Sequence, residues 1–366
     1  MREGWEYKKL NEVCDKGSSN IVINKLIDNN GDYPLYGASG LIKDIDFYHQ
    51  DKRYIGIVKD GAGVGRVNIY PAFSSLVGTM QYIFPKEGYS LDFIKYFLIK
   101  LDLSHCVSGA TIPHIYFKDY GKELIPTPSL DTQLAIVSEL DKINELIRLK
   151  KEQLKDLDKL AQSIFYEMFG DPVENEMGWE VSTYSKCFNI GSGGTPSKSV
   201  PEYWDNGNIP WIGSNMCQNC IITETDGKFI TQEGLNNSST KYLEVGTVLV
   251  ALVGATIGKV ALLRTPTCTN QNVAFIKANE SKDFVPEYVF YNLMGQYEEF
   301  MKIGKGNFKM ANQAFIKALP ILSPPLPLQQ LFAHRIEQIE HQKAEVQKAI
   351  TDLETLLASR MQYWFE

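Results

Sequence analysis

VALVGATIGKVAL, residues 250–262, carries the types and spacing that most suggest chemistry: an apolar run, a glycine turn and a Gly-Lys pair. This outlines a loop whose backbone amides cradle phosphate. The spacing fails. A phosphate loop places four residues between its first glycine and Gly-Lys-Ser/Thr, so that the hydroxyl can hold magnesium. Only three residues separate Gly254 from Gly258, and Val260 stands in place of the hydroxyl. The continuation KVALLRTPTCTNQNVAFIK is rich in β-branched residues and broken by Pro266, which predicts strands. A phosphate site would need a helix N-terminus there. GAGVG at 61–65 suggests a dinucleotide turn, but a strand with Pro71 follows where a helix is required.

Other candidate chemistry is thinner. Cys217 and Cys220 form one CxxC, with Cys187 and Cys268 in the same half of the chain, but a zinc site needs a second close pair. Free cysteines in a reducing cytoplasm are the expectation, with no metal bound. His334 and His341 lie seven apart on a helical stretch and read as surface residues. Neither an Asp/Asn-Pro-Pro-aromatic methyltransferase motif nor a carboxylate–lysine nuclease cluster stands out. The pattern favours recognition without catalysis.

The chain has 366 residues, 44% apolar and 22% charged, enough for two or three soluble domains. No apolar run approaches the roughly 20 residues of a membrane span, and MREGWEYKKL has no signal-peptide core. The net charge of −7 weighs mildly against unaided nucleic-acid binding. That charge is uneven: residues 1–128 hold 15 basic and 15 acidic side chains, and the rest is acidic.

The elements that must position these residues occur twice. GWEYKKLNEVCDKGS at 4–18 returns as GWEVSTYSKCFNIGS at 178–192, GAGVGRV at 61–67 as GATIGKV at 254–260, and LDFIKYFL at 91–98 as PEYVFYNL at 286–293. From Gly109 and Gly306 onward the offset reads as 197, pairing Pro128 with Pro325 and Gln133 with Gln330. Both glycine turns therefore predict β-hairpins, with Arg66 and Lys259 in equivalent places just after the turn.

Each copy runs into a helix of about 40 residues, roughly 60 Å long. Ile136, Leu140, Ile143, Ile147, Lys150, Leu154, Leu157, Ala161 and Ile164 recur in steps of three and four, a heptad seam with one polar interruption. Ile336, Ile339, Lys343, Val346, Ile350, Leu353, Leu357, Arg360 and Trp364 repeat the pattern. Leu146, Leu149 and Leu160 add a second stripe. Antiparallel pairing of the two seams would place the globular parts at opposite ends. FGDPVENEMGW at 169–179 reads as the connector.

This order resembles the specificity subunit of type I restriction–modification systems over essentially the whole chain. The resemblance rests on GWE opening each copy, YPLYGASG at 33–40, SGGTPSKSVPEYWDNGNIPWI at 192–212, and the helix starts PSLDTQLAI and PLPLQQLFA. It implies an α+β chain with a pseudo-twofold repeat. Its parts are a target recognition domain at 1–128, a spacer helix at 129–169, a second recognition domain at 170–325 and a second spacer helix at 326–366. The spacers would form an antiparallel coiled coil. Each domain would read half of a split site in double-stranded DNA, and the helices would dock two methyltransferase subunits. S-adenosylmethionine would sit on those partners rather than on this chain, and restriction/translocase subunits could join. No membrane contact is implied, and the chain itself would catalyse nothing.

Polar and basic loop residues are the candidates for DNA contact, since amides and hydroxyls read base edges while Lys and Arg hold phosphates. In the first copy these are Tyr36, Ser39, Lys59, Arg66, Ser108, Thr111 and His114. In the second they are Thr195, Ser197, Lys198, Ser214, Asn215, Lys259, Asn270, Gln271, Lys305 and Lys309. Trp204 and Trp211 read as anchors. The competing readings are a stand-alone nucleotide-binding enzyme and a dimeric helical scaffold without DNA specificity.

Overall fold

The computed structural model describes residues 5–109, 111–279, 284–303 and 310–366. They divide into two units, 1–152 with 347–366, and 153–346. The division cuts both long helices, Leu130–Phe169 and Leu326–Phe365, so each unit joins a β-rich body to part of each helix. Among the described residues no helix is long and apolar enough to cross a membrane.

In the first unit Cys14–Ser18, Met80–Pro85, Tyr54–Val58 and Val67–Tyr70 form an antiparallel sheet in that order. A three-stranded sheet of Gly40–Ile45, Tyr33–Gly37 and Ser75–Leu76 joins it. All five residues of Tyr54–Val58 are buried, because side chains alternate between two cores. Ile55 and Ile57 meet Phe93 and Phe97 of the helix Leu91–Leu101, while Tyr54 and Val58 meet Leu35, Leu76 and Tyr82. The second unit repeats the plan. Its five-stranded sheet runs Phe188–Ser192, Val273–Ala278, Val248–Ala251, Val260–Leu263, Cys220–Ile222, beside a four-stranded sheet containing Ile209–Ile212 and Thr267–Thr269.

The predicted seams are turned inward. Ile136, Leu140, Ile143, Ile147, Leu157 and Ala161 are buried on one helix, and Ile336, Ile339, Val346 and Ile350 on the other. In the first unit Glu139 bonds Arg360 and Lys151 bonds Glu354. In the second, Asp158 bonds Lys343, and the Met168 sulfur accepts from Arg335. Within each unit the numbers rise on one helix as they fall on the other, so the segments pair antiparallel. Two of the polar seam positions, Lys343 and Arg360, are thus neutralised by carboxylates of the facing segment. The second stripe stays open: Leu146, Leu149 and Leu160 are 46–48% exposed.

The repeat is closer to exact in hydrogen bonds than in sequence. Leu10 N–H donates to the Glu123 carbonyl as Tyr184 N–H does to that of Leu319. Gln133, 1% exposed, accepts from Ser90 N–H and donates to the Pro128 carbonyl. Gln329, also 1% exposed, accepts from Val285 N–H and donates to the Pro324 carbonyl. The offset at the helix start is therefore 196, and the pairing of Gln133 with Gln330 and Pro128 with Pro325 is corrected by one residue. The sequence PLPLQQ offers two adjacent glutamines and only the fold distinguishes them: Gln330 is exposed. Gly306 lies outside the described residues.

Candidate nucleic-acid interface

Both glycine turns are hairpins, as their spacing predicted. Tyr54–Val58 pairs antiparallel with Val67–Tyr70, and Val248–Ala251 with Val260–Leu263. Val58 N–H donates to the Arg66 carbonyl and Gly65 N–H to that of Val58; Ala251 N–H donates to the Lys259 carbonyl and Gly258 N–H to that of Ala251. Arg66 and Lys259 are equivalent by this bonding. No helix follows Gly254–Thr256, a single 3₁₀ turn leading into a strand, so the nucleotide reading loses its structural basis.

In the first unit the turn gathers most of its candidates. Arg66 is exposed and donates from Nη1 to the Ala38 carbonyl at 3.1 Å. A Cβ on Gly63 would lie 2.4 Å from Arg66 Nη2, so glycine leaves room for the guanidinium to lie against the turn. Tyr36, Ser39 and Arg66, with Asn68 and Tyr70, line an open depression of about 370 Å³. Tyr36 and Tyr70 pack ring to ring at 4.8 Å. On the other side Gly61 N–H donates to the Pro113 carbonyl, and the Lys59 carbonyl accepts from Ile115 N–H. Those two bonds tie the 108–114 loop to the turn, and Ser108 and His114 close the loop by exchanging two backbone bonds at 2.9 and 2.8 Å. Lys59 contacts Asp60 at 3.7 Å, and Thr111 is exposed on the same loop.

The second unit groups its candidates less completely. Lys259 Nζ donates to Gln218 Oε1 at 2.7 Å, and Asn219 Oδ1 accepts from Val260 N–H at 3.0 Å. Asn215 and Asn270 both border Gly213, where a Cβ would meet them at 2.6 and 3.5 Å. Ser214 opens a 3₁₀ turn, Ser214–Met216, directly after Gly213. Thr195 Oγ1 donates to Gln271 Oε1 at 2.6 Å. Ser197 bonds Ser199 instead, and Lys198 is exposed beside it. Trp204 and Trp211 are anchors: their indole N–H groups donate to the Ser197 and Gly194 carbonyls, and their rings meet edge to face at 5.3 Å. Lys305 and Lys309 lie outside the described residues.

Sequence reasoning passed over Asn68, Gln218 and Asn219. Asn219 carries a usable signal, since its φ of +55° is a conformation that asparagine tolerates better than most residues. Two of the second unit's cysteines serve packing. Cys217 and Cys268 are fully buried in separate clusters, and burial pushes their thiols up to about 12 and about 11.

A family model described as the type I restriction modification DNA specificity domain matches residues 2–159 and again 176–355. The chain is 25% identical over 201 residues to the specificity subunit of the type I restriction enzyme EcoR124I/EcoR124II from Escherichia coli, covering 52% of this chain and 48% of that protein. It is 23% identical over 309 residues to the MjaIX specificity subunit of Methanocaldococcus jannaschii, covering 75% and 68%. The crystal structure of a type I restriction-modification S subunit from M. genitalium shares the fold over 100% of this chain and 98% of its own, with TM-score 0.58 and 15% identity.

Proposed function

The chain belongs to the type I restriction–modification DNA specificity family, and from that premise we propose that each unit reads one half of a split site in double-stranded DNA. The observation that carries this reading is the duplicated hairpin, which sets Arg66 and Lys259 at equivalent positions, Arg66 beside Tyr36, Ser39 and Asn68 and Lys259 beside Gln218 and Asn219. Such a set suits DNA: fixed cations hold phosphate or guanine, and neighbouring amide and hydroxyl groups discriminate base edges. The near-neutral or acidic balance of the chain fits a subunit whose partners supply the rest of a positive clamp.

On this reading the paired helix segments set the spacing between half-sites, since helical phase decides which groove face each domain meets. Two methyltransferase subunits dock on them. The half-exposed Leu134 and Leu146, beside Asp141, Lys142 and Glu145 on an open depression of about 710 Å³, suit one such contact. S-adenosylmethionine and adenine methylation belong to those partners, and a restriction/translocase subunit can join the assembly. The chain contributes recognition without catalysis, in the cytoplasm.

The test is long-read mapping of methylated adenines in cells carrying the wild-type chain, Arg66→Ala or Lys259→Ala. Arg66→Ala relaxes or abolishes one half of the motif and leaves the other half unchanged; Lys259→Ala affects the opposite half. A motif unaltered by both substitutions, or altered in both halves by each, would sink the one-unit-per-half-site reading.

A further inference from the structure

We propose that His105, Cys106 and Glu123 form a binding site for a borderline-soft divalent cation such as zinc, at the base of the first unit's 108–114 loop. Their ligand atoms, imidazole nitrogen, thiol sulfur and carboxylate oxygen, all lie within 4.8 Å of one another. Small rotamer changes bring three such atoms to the 2.0–2.3 Å radius of a zinc ion, with a fourth position left to water.

The imidazole is already set as a ligand. His105 Nδ1 lies 2.9 Å from the Asp102 carbonyl, which can only accept, so Nδ1 carries the proton and donates. That leaves Nε2 facing Glu123 Oε1 at 3.1 Å. In neutral histidine these are two lone pairs pointed at each other, an arrangement that calls for a positive charge between them. A proton can meet this need, but a metal cation meets it while also engaging the adjacent sulfur. A backbone carbonyl holding the second ring nitrogen is the usual outer support of a metal-bound histidine.

Charge balances. The Cys106 thiol loses its proton to solvent on binding, so a thiolate and a carboxylate neutralise a doubly charged ion and histidine stays neutral. The short 3₁₀ helix Leu103–Cys106 supplies two ligands and is fixed to its own Asp102 cap. Glu123 comes from the turn before the strand Leu124–Thr127. The cation would thereby join the two ends of the 107–122 segment, which includes Ser108, Thr111 and His114. The site stands independently of the DNA-reading proposal.

Cobalt(II) titrated into the reduced, metal-stripped full chain tests this. One equivalent is expected to give thiolate-to-cobalt charge-transfer absorption, displaced by zinc. Cys106→Ser removes that absorption, and Glu123→Gln or His105→Ala weakens binding by at least about tenfold, the lower bound when even an outer support of a metal site is removed. Zinc is also expected to slow amide exchange at Ser108 and His114 in the wild type only. Because His105 and Glu123 are exposed or half-exposed, both variants retain the fold, which circular dichroism checks. Absence of the absorption in the wild type, or its persistence unchanged in Cys106→Ser, would overturn the proposal.

Discussion

Two glycines in the stretch 250–262 offer a controlled perturbation. Gly254 and Gly258 both take left-handed backbone, with φ of +73° and +74°. A Cβ on Gly254 would meet nothing within 4 Å, whereas on Gly258 it would lie 2.6 Å from the Phe300 Cβ and 2.7 Å from its Cγ. Phe300 is fully buried and packs edge to face on Phe315 at 5.1 Å, so its ring has no room to withdraw. Alanine in the left-handed region costs about 1–2 kcal/mol at either site. At Gly258 the overlap adds an overpacking cost of about 1–3 kcal/mol. Gly254→Ala should therefore lose about 1–2 kcal/mol and Gly258→Ala about 2–5 kcal/mol. Amide exchange across Val248–Ala251 and Val260–Leu263 reads the second unit directly and does not assume that the whole chain unfolds in one step. Methylation mapping adds a functional readout, because a displaced Gly258 drags Lys259 with it. Equal losses in the two variants, or a larger loss in Gly254→Ala, would refute the assignment of this turn.

Three further outcomes follow from the geometry. Arg264 spans Glu287 at 2.8 Å and Glu340 at 2.9 Å with 24% of its side chain exposed, joining strand, short helix and long helix within the second unit. Arg264→Met leaves both carboxylates uncompensated; discounted for exposure, the loss is about 2–3 kcal/mol, measured by exchange across Pro286–Gly295. Gln133→Leu orphans the Ser90 N–H and the Pro128 carbonyl and costs about 2–4 kcal/mol in urea unfolding, and Gln330→Leu costs almost nothing. Burial pushes the Cys217 thiol up to about 12 from an ordinary 9.0. Its neutral form is favoured by folding, so that stability is fully present below pH 9 and is lost as pH rises toward 12. Cys217→Ala should flatten the alkaline fall by up to about 1.4 kcal/mol per pH unit in unfolding scans from pH 9 upward.

What was legible in the sequence was whatever periodicity and turn chemistry encode. The hairpins followed from glycines flanked by β-branched runs, and Gly61, Gly63, Gly65, Gly254 and Gly258 all have positive φ. The buried seams followed from steps of three and four. Illegible were features set by a side chain arriving from far along the chain. Gln218 comes 41 residues before the Lys259 it holds. Ala38 presents a carbonyl to Arg66 from 28 residues away. Adjacent glutamines defeated the repeat alignment because burial, and not residue type, selects Gln329. The exposed second stripe shows the opposite limit: an apolar pattern states that a surface wants covering and is silent on whether this chain covers it.

The duplicated hairpin also constrains what kind of DNA site the proposed reading allows. Identical scaffolds carrying identical groups would read the same bases twice and favour a symmetric sequence. Here the scaffold repeats but its cation does not. Arg66 presents a planar guanidinium steadied by a backbone carbonyl, a geometry that matches the two acceptors of guanine. Lys259 presents a point charge already shared with an amide oxygen, which suits one acceptor or a phosphate. The neighbours differ as well, with Tyr36, Tyr70, Ser39 and Asn68 around Arg66, and Gln218 and Asn219 beside the Lys259 turn. Non-equivalent donors on equivalent hairpins read non-equivalent half-sites, so the motif mapped for this chain should be asymmetric. Exchanging Arg66 for lysine would move the first half-site toward looser discrimination without making the two halves alike, because the surrounding side chains still differ.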